Sequence, residues 1–179
     1  MYRQHPDWIL QTPGRTDSHG RYQYVLDFSR REIVDYIYTM IAKILSEAKI
    51  SYIKWDMNRS ITECYSIAYP AERQGEIFHR YILGVYDLYE RLTSEFPKVL
   101  FESCASGGGR FDPGMLYYAP QGWTSDDSDA IERLKIQYGT SMCYPISSIG
   151  SHVSVIPNHQ VFRNTPVHTR ANVAYFGTF

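Results

Sequence analysis

Extended segments and amphipathic helical segments alternate along the chain, and this alternation constrains the fold more than any other feature. Residues 24–28 are strand-like, and apolar side chains then recur at helical spacing over 30–48. A second extended segment at 51–56 precedes a second amphipathic helix, which begins near Ile77 and stops before Pro97. Strands connected through helices form parallel sheets with right-handed crossovers, so we expect an α/β fold.

The second half of the chain continues this pattern. It contains predicted strands at 99–103, 122–125 and 146–149, a helix from about 129 to 139, and a last helix from Thr169 to the chain end at Phe179. Ser29 and Glu32 match a capping box for the first helix. Asp129 or Ser128 is expected to cap the helix after the fourth strand, with Ile131, Leu134 and Tyr138 on its apolar face. Five strands are therefore predicted, without linker or internal repeat.

Composition excludes several classes of protein. The 18 basic and 19 acidic side chains leave a net charge of -1, which offers no positive excess for binding a phosphate backbone. A hydrophobic content of 44% without a run of about 20 apolar residues is typical of a globular domain and not of a membrane-spanning protein. Three cysteines without a CxxC pair predict neither a disulfide framework nor a structural zinc site. We therefore expect no nucleic-acid partner, no membrane partner, no metal and no cofactor.

Polar and ionisable residues collect where the predicted strands end. Lys54 and Asp56 end the second strand and lie on one face of it, because successive side chains of a strand alternate. Cys104 follows the third strand, and Asp126 with Asp127 follows the fourth. The functional groups of parallel α/β folds gather at the carboxyl ends of the strands, so these residues are candidates for a single site.

Two carboxylates from separate strand ends fit glycoside hydrolysis, in which one attacks or stabilises the oxocarbenium-like centre and the other protonates the leaving oxygen. The pair Asp56 and Asp126 suits this chemistry. Simpler interpretations stay open, since Lys54 and Asp56 also fit an exposed ion pair and an aspartate before a helix also fits a cap. Asp127 and Asp129 have a spacing found in divalent-cation sites, although the glycine of an EF-hand loop is missing.

The run Gly107-Gly108-Gly109 has two equally weighted interpretations, close approach of the backbone to a ligand or a simple turn of the chain. It lacks the lysine of a P-loop, and no GxGxxG motif is present. No HExxH or GxSxG motif occurs either, so the signatures of zinc proteases and of the commonest serine hydrolases are missing.

Three long motifs carry a resemblance to a known family. They are Lys54-Trp55-Asp56-Met57-Asn58-Arg59, Glu102-Ser103-Cys104-Ala105-Ser106-Gly107-Gly108-Gly109-Arg110 and Trp123-Thr124-Ser125-Asp126-Asp127-Ser128-Asp129-Ala130. In this order they resemble the bacterial α-galactosidases of glycoside hydrolase family 36, and the likeness covers essentially the whole chain. The resemblance implies a retaining exo-acting enzyme with a (β/α)8 TIM barrel that removes terminal α-galactose from melibiose, raffinose and stachyose.

The resemblance also implies roles for individual residues. Asp56 would be the nucleophile and Asp126 the acid/base. The remaining substrate-binding residues implied by the matched motifs are Arg21, Lys54, Trp55, Asn58, Cys104, Gly107, Trp123 and Asp127. The implied partner is a galactose-containing oligosaccharide.

The length of the chain departs from the family pattern, because a complete (β/α)8 barrel takes about 250 residues and this chain has 179. We therefore expect residues 1–179 to be a single segment of the barrel, about strands 3 to 7 with their helices, truncated at both ends and inactive alone. Its open sheet edges predict self-association in isolation. The full-length enzyme is expected to be cytoplasmic and homo-oligomeric. A galactose-binding remnant without turnover and a cation-dependent transferase are the alternatives.

Overall fold

A computed structural model of the protein describes residues 1–16 and 20–178. The chain divides into two compact units, the first comprising Met1–Ser51 and Asn58–Val99, the second Tyr52–Met57 and Leu100–Phe179. The helices and strands, in chain order, are α1 Arg31–Glu47, β1 Tyr52–Asp56, α2 Ile77–Glu95, β2 Leu100–Cys104, α3 Pro113–Tyr118, β3 Gln121–Gly122, α4 Ala130–Ser141 and α5 Val167–Ala174, with 3-10 turns at Pro6–Trp8, Ala71–Glu76 and Ile146–Ser148. Within the described residues, no helix has the length and apolar character needed to cross a bilayer.

The long helices α1 and α2 pack against each other and supply most of the core of the first unit. Their buried side chains are Ile33, Val34, Leu45, Ile77, Tyr81, Val85, Leu88, Tyr89 and Leu92. Full burial of such a side chain contributes about 1.5–3 kcal/mol. Gly84 marks the tightest approach of α2 to the segment before α1, because a Cβ there would lie 1.8 Å from the carbonyl oxygen of Phe28. A larger residue at this position would push α2 away.

The helix predicted at 30–48 is confirmed, but its predicted capping box is wrong. The N-cap of α1 is Arg30, and no side chain caps the helix there. The Ser29 hydroxyl instead donates to the carboxylate of Asp27. Glu32 accepts a hydrogen bond from Nε of Arg30 at 2.7 Å. Because the Ser29 hydroxyl bonds to the nearby carboxylate of Asp27, it does not cap the start of α1.

The segment 24–28 is not a strand as predicted, since its ladder contact within the described part of the chain is one isolated antiparallel bridge between Leu26 and Ile9. Its backbone bonds to the chain start, with the amide of Asp27 donating to the carbonyl of Trp8 at 2.8 Å. The side chain of Asp27 is fully buried and accepts from the Ser66 hydroxyl. These hydrogen bonds pair polar groups of the segment with neighbouring parts of the first unit, and the segment does not join the sheet.

The second unit is built on a parallel sheet with the strand order β1-β2-β3. The register places Lys54 beside Glu102 and Asp56 beside Cys104, so the charged ends of β1 and β2 lie at the same edge. Helices separate the strands in sequence, which confirms the α/β prediction. The described residues form three strands rather than five, and β3 has only two residues.

The predicted fifth strand at 146–149 is a 3-10 turn, because the amide of Ser148 bonds to the carbonyl of Pro145 at 2.9 Å. Only Ile149 then bridges in parallel to Gly122. The last helix, α5, begins slightly before the predicted Thr169 and ends at Ala174, well before Phe179, which lies outside the described residues. Two isoleucines separated by two serines did not distinguish a turn from a strand here.

Helix α3 was not predicted from the sequence. Asp112 is its N-cap and accepts from the amide of Met115 at 3.0 Å, and Pro113 occupies the first helical position. An Asp-Pro pair is a recognised helix-start signal.

Candidate active site

The ends of β1 and β2 bring Asp56 and Cys104 together. Asp56 is the last residue of β1 and is exposed, whereas Cys104, the last residue of β2, is buried. Burial raises the pKa of the Cys104 thiol to about 11, and its hydrogen bond to the Asp56 carboxylate acts in the same direction. The thiol is therefore protonated at neutral pH and donates a hydrogen bond to Asp56.

Lys54 pairs across the sheet with Glu102 rather than along β1. Its Nζ lies 3.2 Å from Oε1 of Glu102, and Glu102 is only 2% exposed. The other carboxylate oxygen of Glu102 accepts from the Tyr52 hydroxyl and from Nε2 of Gln121 at 3.0 Å. A buried carboxylate requires a countercharge, so Glu102 holds the Lys54 ammonium against β2. The interpretation as an exposed Lys54–Asp56 pair was wrong.

Asp126 combines an exposed side chain with a tightly held backbone. Gly107 has φ +81°, and a Cβ on it would lie 2.7 Å from Cα of Ser125 and 2.8 Å from the amide nitrogen of Asp126. The side-chain amide of Gln160 donates to the carbonyl oxygen of Asp126. Glycine at 107 therefore allows the loop after β2 to pack directly against the loop that carries Asp126.

The two aspartates that follow have local structural partners. Asp129 caps α4, as predicted, by accepting from the amides of Ile131 and Glu132 at 3.1 Å. Its carboxylate also pairs with Arg163. Asp127 accepts from the amide of Asp129 at 3.0 Å. No group of three or more His, Cys, Asp or Glu side chains within 1–16 and 20–178 is arranged to hold a metal ion.

Trp123 is buried, and its ring is surrounded by basic side chains. The His152 ring stacks on it with centroids 4.1 Å apart and an interplanar angle of 16°. The guanidinium of Arg133 lies 4.3 Å from the Trp123 centroid, and Nζ of Lys54 lies 4.6 Å from it. Burial lowers the pKa of His152, and the charges of Lys54 and Arg133 lower it further, so the imidazole is neutral at pH 7.

Contacts within the second unit connect the two candidate carboxylates. Asp56 accepts from Cys104, the backbone of Gly107 hydrogen-bonds to Cys104, and Gly107 packs against the backbone of Asp126. Trp55 lies in β1 opposite Ser103. The other two predicted residues belong to the first unit, where Arg21 is exposed with φ +53° and Asn58 is partly buried.

Sequence reasoning missed three residues that hold this region in place, namely Arg133, His152 and Gln160. Arg133 had a recognisable signal, because it lies three residues after Ala130 and four before Gln137, at the spacing of one helix face. That face is the buried one, whereas Leu134 and Tyr138, predicted to be apolar core, are 51% and 68% exposed.

Comparison with known proteins gives strong and consistent matches. The family model described as Melibiase matches residues 1–179. The α-galactosidase AgaA of Geobacillus stearothermophilus is 59% identical over 179 residues, which are 100% of this chain and 25% of that protein. Alpha-galactosidase 1 of Pediococcus pentosaceus is 54% identical over 177 residues, 99% of this chain and 24% of that protein. The chain thus spans about a quarter of the length of the curated relatives it matches.

Solved structures match equally well. The crystal structure of AgaA, described as a GH36 α-galactosidase, superimposes with a TM-score of 0.95 at 59% identity, covering 98% of this chain and 24% of that one. A variant of AgaA in complex with raffinose gives a TM-score of 0.96 at 58% identity, with the same coverage. A variant in complex with stachyose gives 0.94 at 59% identity, covering 97% of this chain and 24% of that one. The predicted partial α/β barrel is therefore confirmed, and the chain belongs to the Melibiase family, with α-galactosidases of glycoside hydrolase family 36 among its relatives.

Proposed function

We propose that this chain is a segment of the catalytic barrel of a retaining α-galactosidase. The full-length protein would remove terminal non-reducing α-D-galactose from oligosaccharides of the melibiose and raffinose type. Asp56 is the nucleophile and Asp126 the acid/base in this proposal. The observation that carries it is the contact path from Asp56 through Cys104 and Gly107 to Asp126, which connects two strand-end carboxylates in one unit.

The solved relatives lend support to this assignment. The AgaA variants bound to raffinose and to stachyose each carry a substituted aspartate, and the two positions are 70 residues apart in that protein. Asp56 and Asp126 are also 70 residues apart. Substitution of a catalytic carboxylate is a usual way to keep an intact substrate bound, which favours these two residues.

In the proposed reaction, a carboxylate oxygen of Asp56 attacks the anomeric carbon while Asp126 gives its proton to the glycosidic oxygen. The glycosidic bond breaks, and a galactosyl ester of Asp56 forms. Asp126, now a carboxylate, then takes a proton from water, and the resulting hydroxide cleaves the ester and releases galactose with its configuration retained. The Cys104 thiol orients the nucleophile by donating to it.

The remaining predicted residues would contact the sugar. Lys54, fixed by Glu102, would supply a cation near the nucleophile. Further sugar contacts would come from Arg21, Trp55, Asn58, Gly107, Trp123 and Asp127.

Azide rescue of alanine variants tests the two roles in the full-length protein. Asp56→Ala should abolish hydrolysis of p-nitrophenyl α-galactoside, and azide should restore turnover with β-galactosyl azide as product, because azide replaces the lost nucleophile. Asp126→Ala should give α-galactosyl azide instead, because azide then attacks the galactosyl ester. Glu72→Ala, an exposed carboxylate of the first unit, serves as control and should behave as wild type. Undiminished hydrolysis by Asp56→Ala would overturn the proposal.

A further inference from the structure

Arg133 is a buried cation whose function in the chain is not explained by helix formation. It projects from the second turn of α4 and is 3% exposed. Its Nη1 donates to the carbonyl of Ser125 at 3.0 Å, and its Nη2 donates to the Thr124 hydroxyl at 3.2 Å and to the carbonyl of Gly150 at 3.1 Å. The guanidinium thus binds the two residues directly before Asp126.

Burying the positive charge of Arg133 costs desolvation free energy. Burial lowers its pKa to about 10, and the negative charge of Asp127 acts against this shift, so the side chain is a cation at neutral pH. The hydrogen-bond acceptors described for it are neutral carbonyl and hydroxyl groups. A neutral side chain of similar volume would avoid the desolvation cost, so packing alone gives no reason for an arginine here.

The planar geometry of the Arg133 guanidinium matches the positions of the hydrogen-bond acceptors around it. One planar group with several fixed N–H donors can hold the Ser125 carbonyl, the Thr124 hydroxyl and the Gly150 carbonyl at the same time, whereas an ammonium is a point charge on a flexible stem. The Trp123 ring also lies 4.3 Å from the guanidinium. Arg133 therefore fixes the strand-end segment 123–125 in one conformation.

The backbone around Asp126 is held from three directions. Arg133 binds the carbonyl of the preceding peptide, Gly107 packs against the amide of Asp126, and Gln160 binds its carbonyl. The Asp126 side chain itself is exposed. Arg133, Gly107 and Gln160 therefore fix the backbone position from which the exposed Asp126 carboxylate extends.

We propose that Arg133 is the positioning residue of the acid/base Asp126, holding the Ser125 peptide so that the carboxyl meets the leaving-group oxygen. This inference rests on the proposed function of Asp126. Proton transfer requires hydrogen-bond distance to the leaving oxygen, and a misplacement of about 1 Å can cost about 10²-fold in rate. The effect of Arg133 should therefore fall on the step that needs a proton.

Two substrates with different leaving groups test this in the full-length protein. Melibiose needs its leaving oxygen protonated, whereas the dinitrophenolate of 2,4-dinitrophenyl α-galactoside departs without a proton. Arg133→Ala should lower kcat/KM, which reports the steps up to formation of the galactosyl ester, by about 10²-fold with melibiose and far less with the activated substrate. Guanidinium ion at low concentration should restore melibiose hydrolysis by filling the vacated space, whereas urea, which is neutral, should not.

Matched variants complete the test. Lys135→Ala on the exposed face of α4 should match wild type with both substrates and show no response to guanidinium. If Arg133→Ala does not fold, Arg133→Lys keeps the charge and loses the fork, and it should show the same preference for the activated substrate. Equal loss with both substrates, or no loss, in a folded Arg133 variant would overturn the inference.

The same measurements separate failure of this inference from failure of the proposed function. Asp126→Ala must itself discriminate between the two leaving groups if Asp126 is the acid. Absence of discrimination in Asp126→Ala would refute the assignment of Asp126. Discrimination by Asp126→Ala together with none by the Arg133 variants would refute only the role of Arg133.

Discussion

The two units of the chain bury different kinds of side chain. The first buries the apolar faces of α1 and α2, and its fully buried polar residues are few and small. The interior of the second unit includes charged and amide side chains, among them Glu102, Asp129, Arg133, Gln137 and Asn158. Arg133 and Asn158 bond to the segment 124–128 that follows β3. Apolar burial therefore stabilises the first unit, whereas in the second the interior also determines where the candidate catalytic groups lie.

The largest effect should follow from removing the countercharge of the buried Glu102. Lys54→Met leaves that carboxylate uncompensated, and breaking a buried pair in this way costs about 3–5 kcal/mol. The free energy of opening of β1 and β2, measured by amide hydrogen exchange of the full-length protein, should fall by this amount. A loss below about 1 kcal/mol, the value typical of surface pairs, would show that the pair does not behave as buried.

A double variant sharpens this prediction. Combining Lys54→Met with Glu102→Leu removes both charges, and apolar replacement of a buried pair is often neutral for stability. Strand protection should therefore largely return while galactoside hydrolysis does not. Protection that stays low in the double variant would mean that the polar partners of Glu102, Tyr52 and Gln121, matter more than the charge pair.

A smaller effect is expected in the apolar core of the first unit. Ile33 is fully buried in α1, and Ile33→Val removes one methylene group. This change should lower the free energy of opening of α1 by about 0.5–1.5 kcal/mol. The value of kcat should not change, and a reduced kcat would show that this apolar core contributes to catalysis as well as to stability.

The elements of this fold that depend on local pattern were predictable from the sequence. Helices α1 and α2 and strands β1 and β2 followed from apolar periodicity, and the cap of α4 followed from Asp129. The motif residues at the strand ends were predictable as well, because parallel strands bring their carboxyl ends to one edge.

The parts that were wrong or missed depend on long-range polar contacts. Helix α4 buries Arg133 and Gln137 instead of Leu134 and Tyr138, because its polar side chains bond to the carbonyls of distant segments. The partner of Lys54 was also unpredictable, since Glu102 becomes its neighbour only through the register of the sheet. A hydrophobic pattern carries no information on which buried polar groups will find partners.

The smallest expected effect concerns an exposed ion cluster of the first unit, which contrasts with the buried pair of the second. Glu76 accepts from Arg73 and Arg80, and these hydrogen bonds lower its pKa from 4.5 to about 2. Because the pKa is depressed in the folded state, the stabilisation is fully present above pH 4.5 and is lost as the pH falls toward about 2. Glu76→Gln should therefore be slightly less stable than wild type near neutral pH, and the difference in urea midpoint should shrink progressively in acid.

About 1 M salt should also reduce this difference in urea midpoint, because exposed charges are screened at that ionic strength. A difference that persists in both acid and salt would indicate that Glu76 stabilises the unit through packing rather than charge.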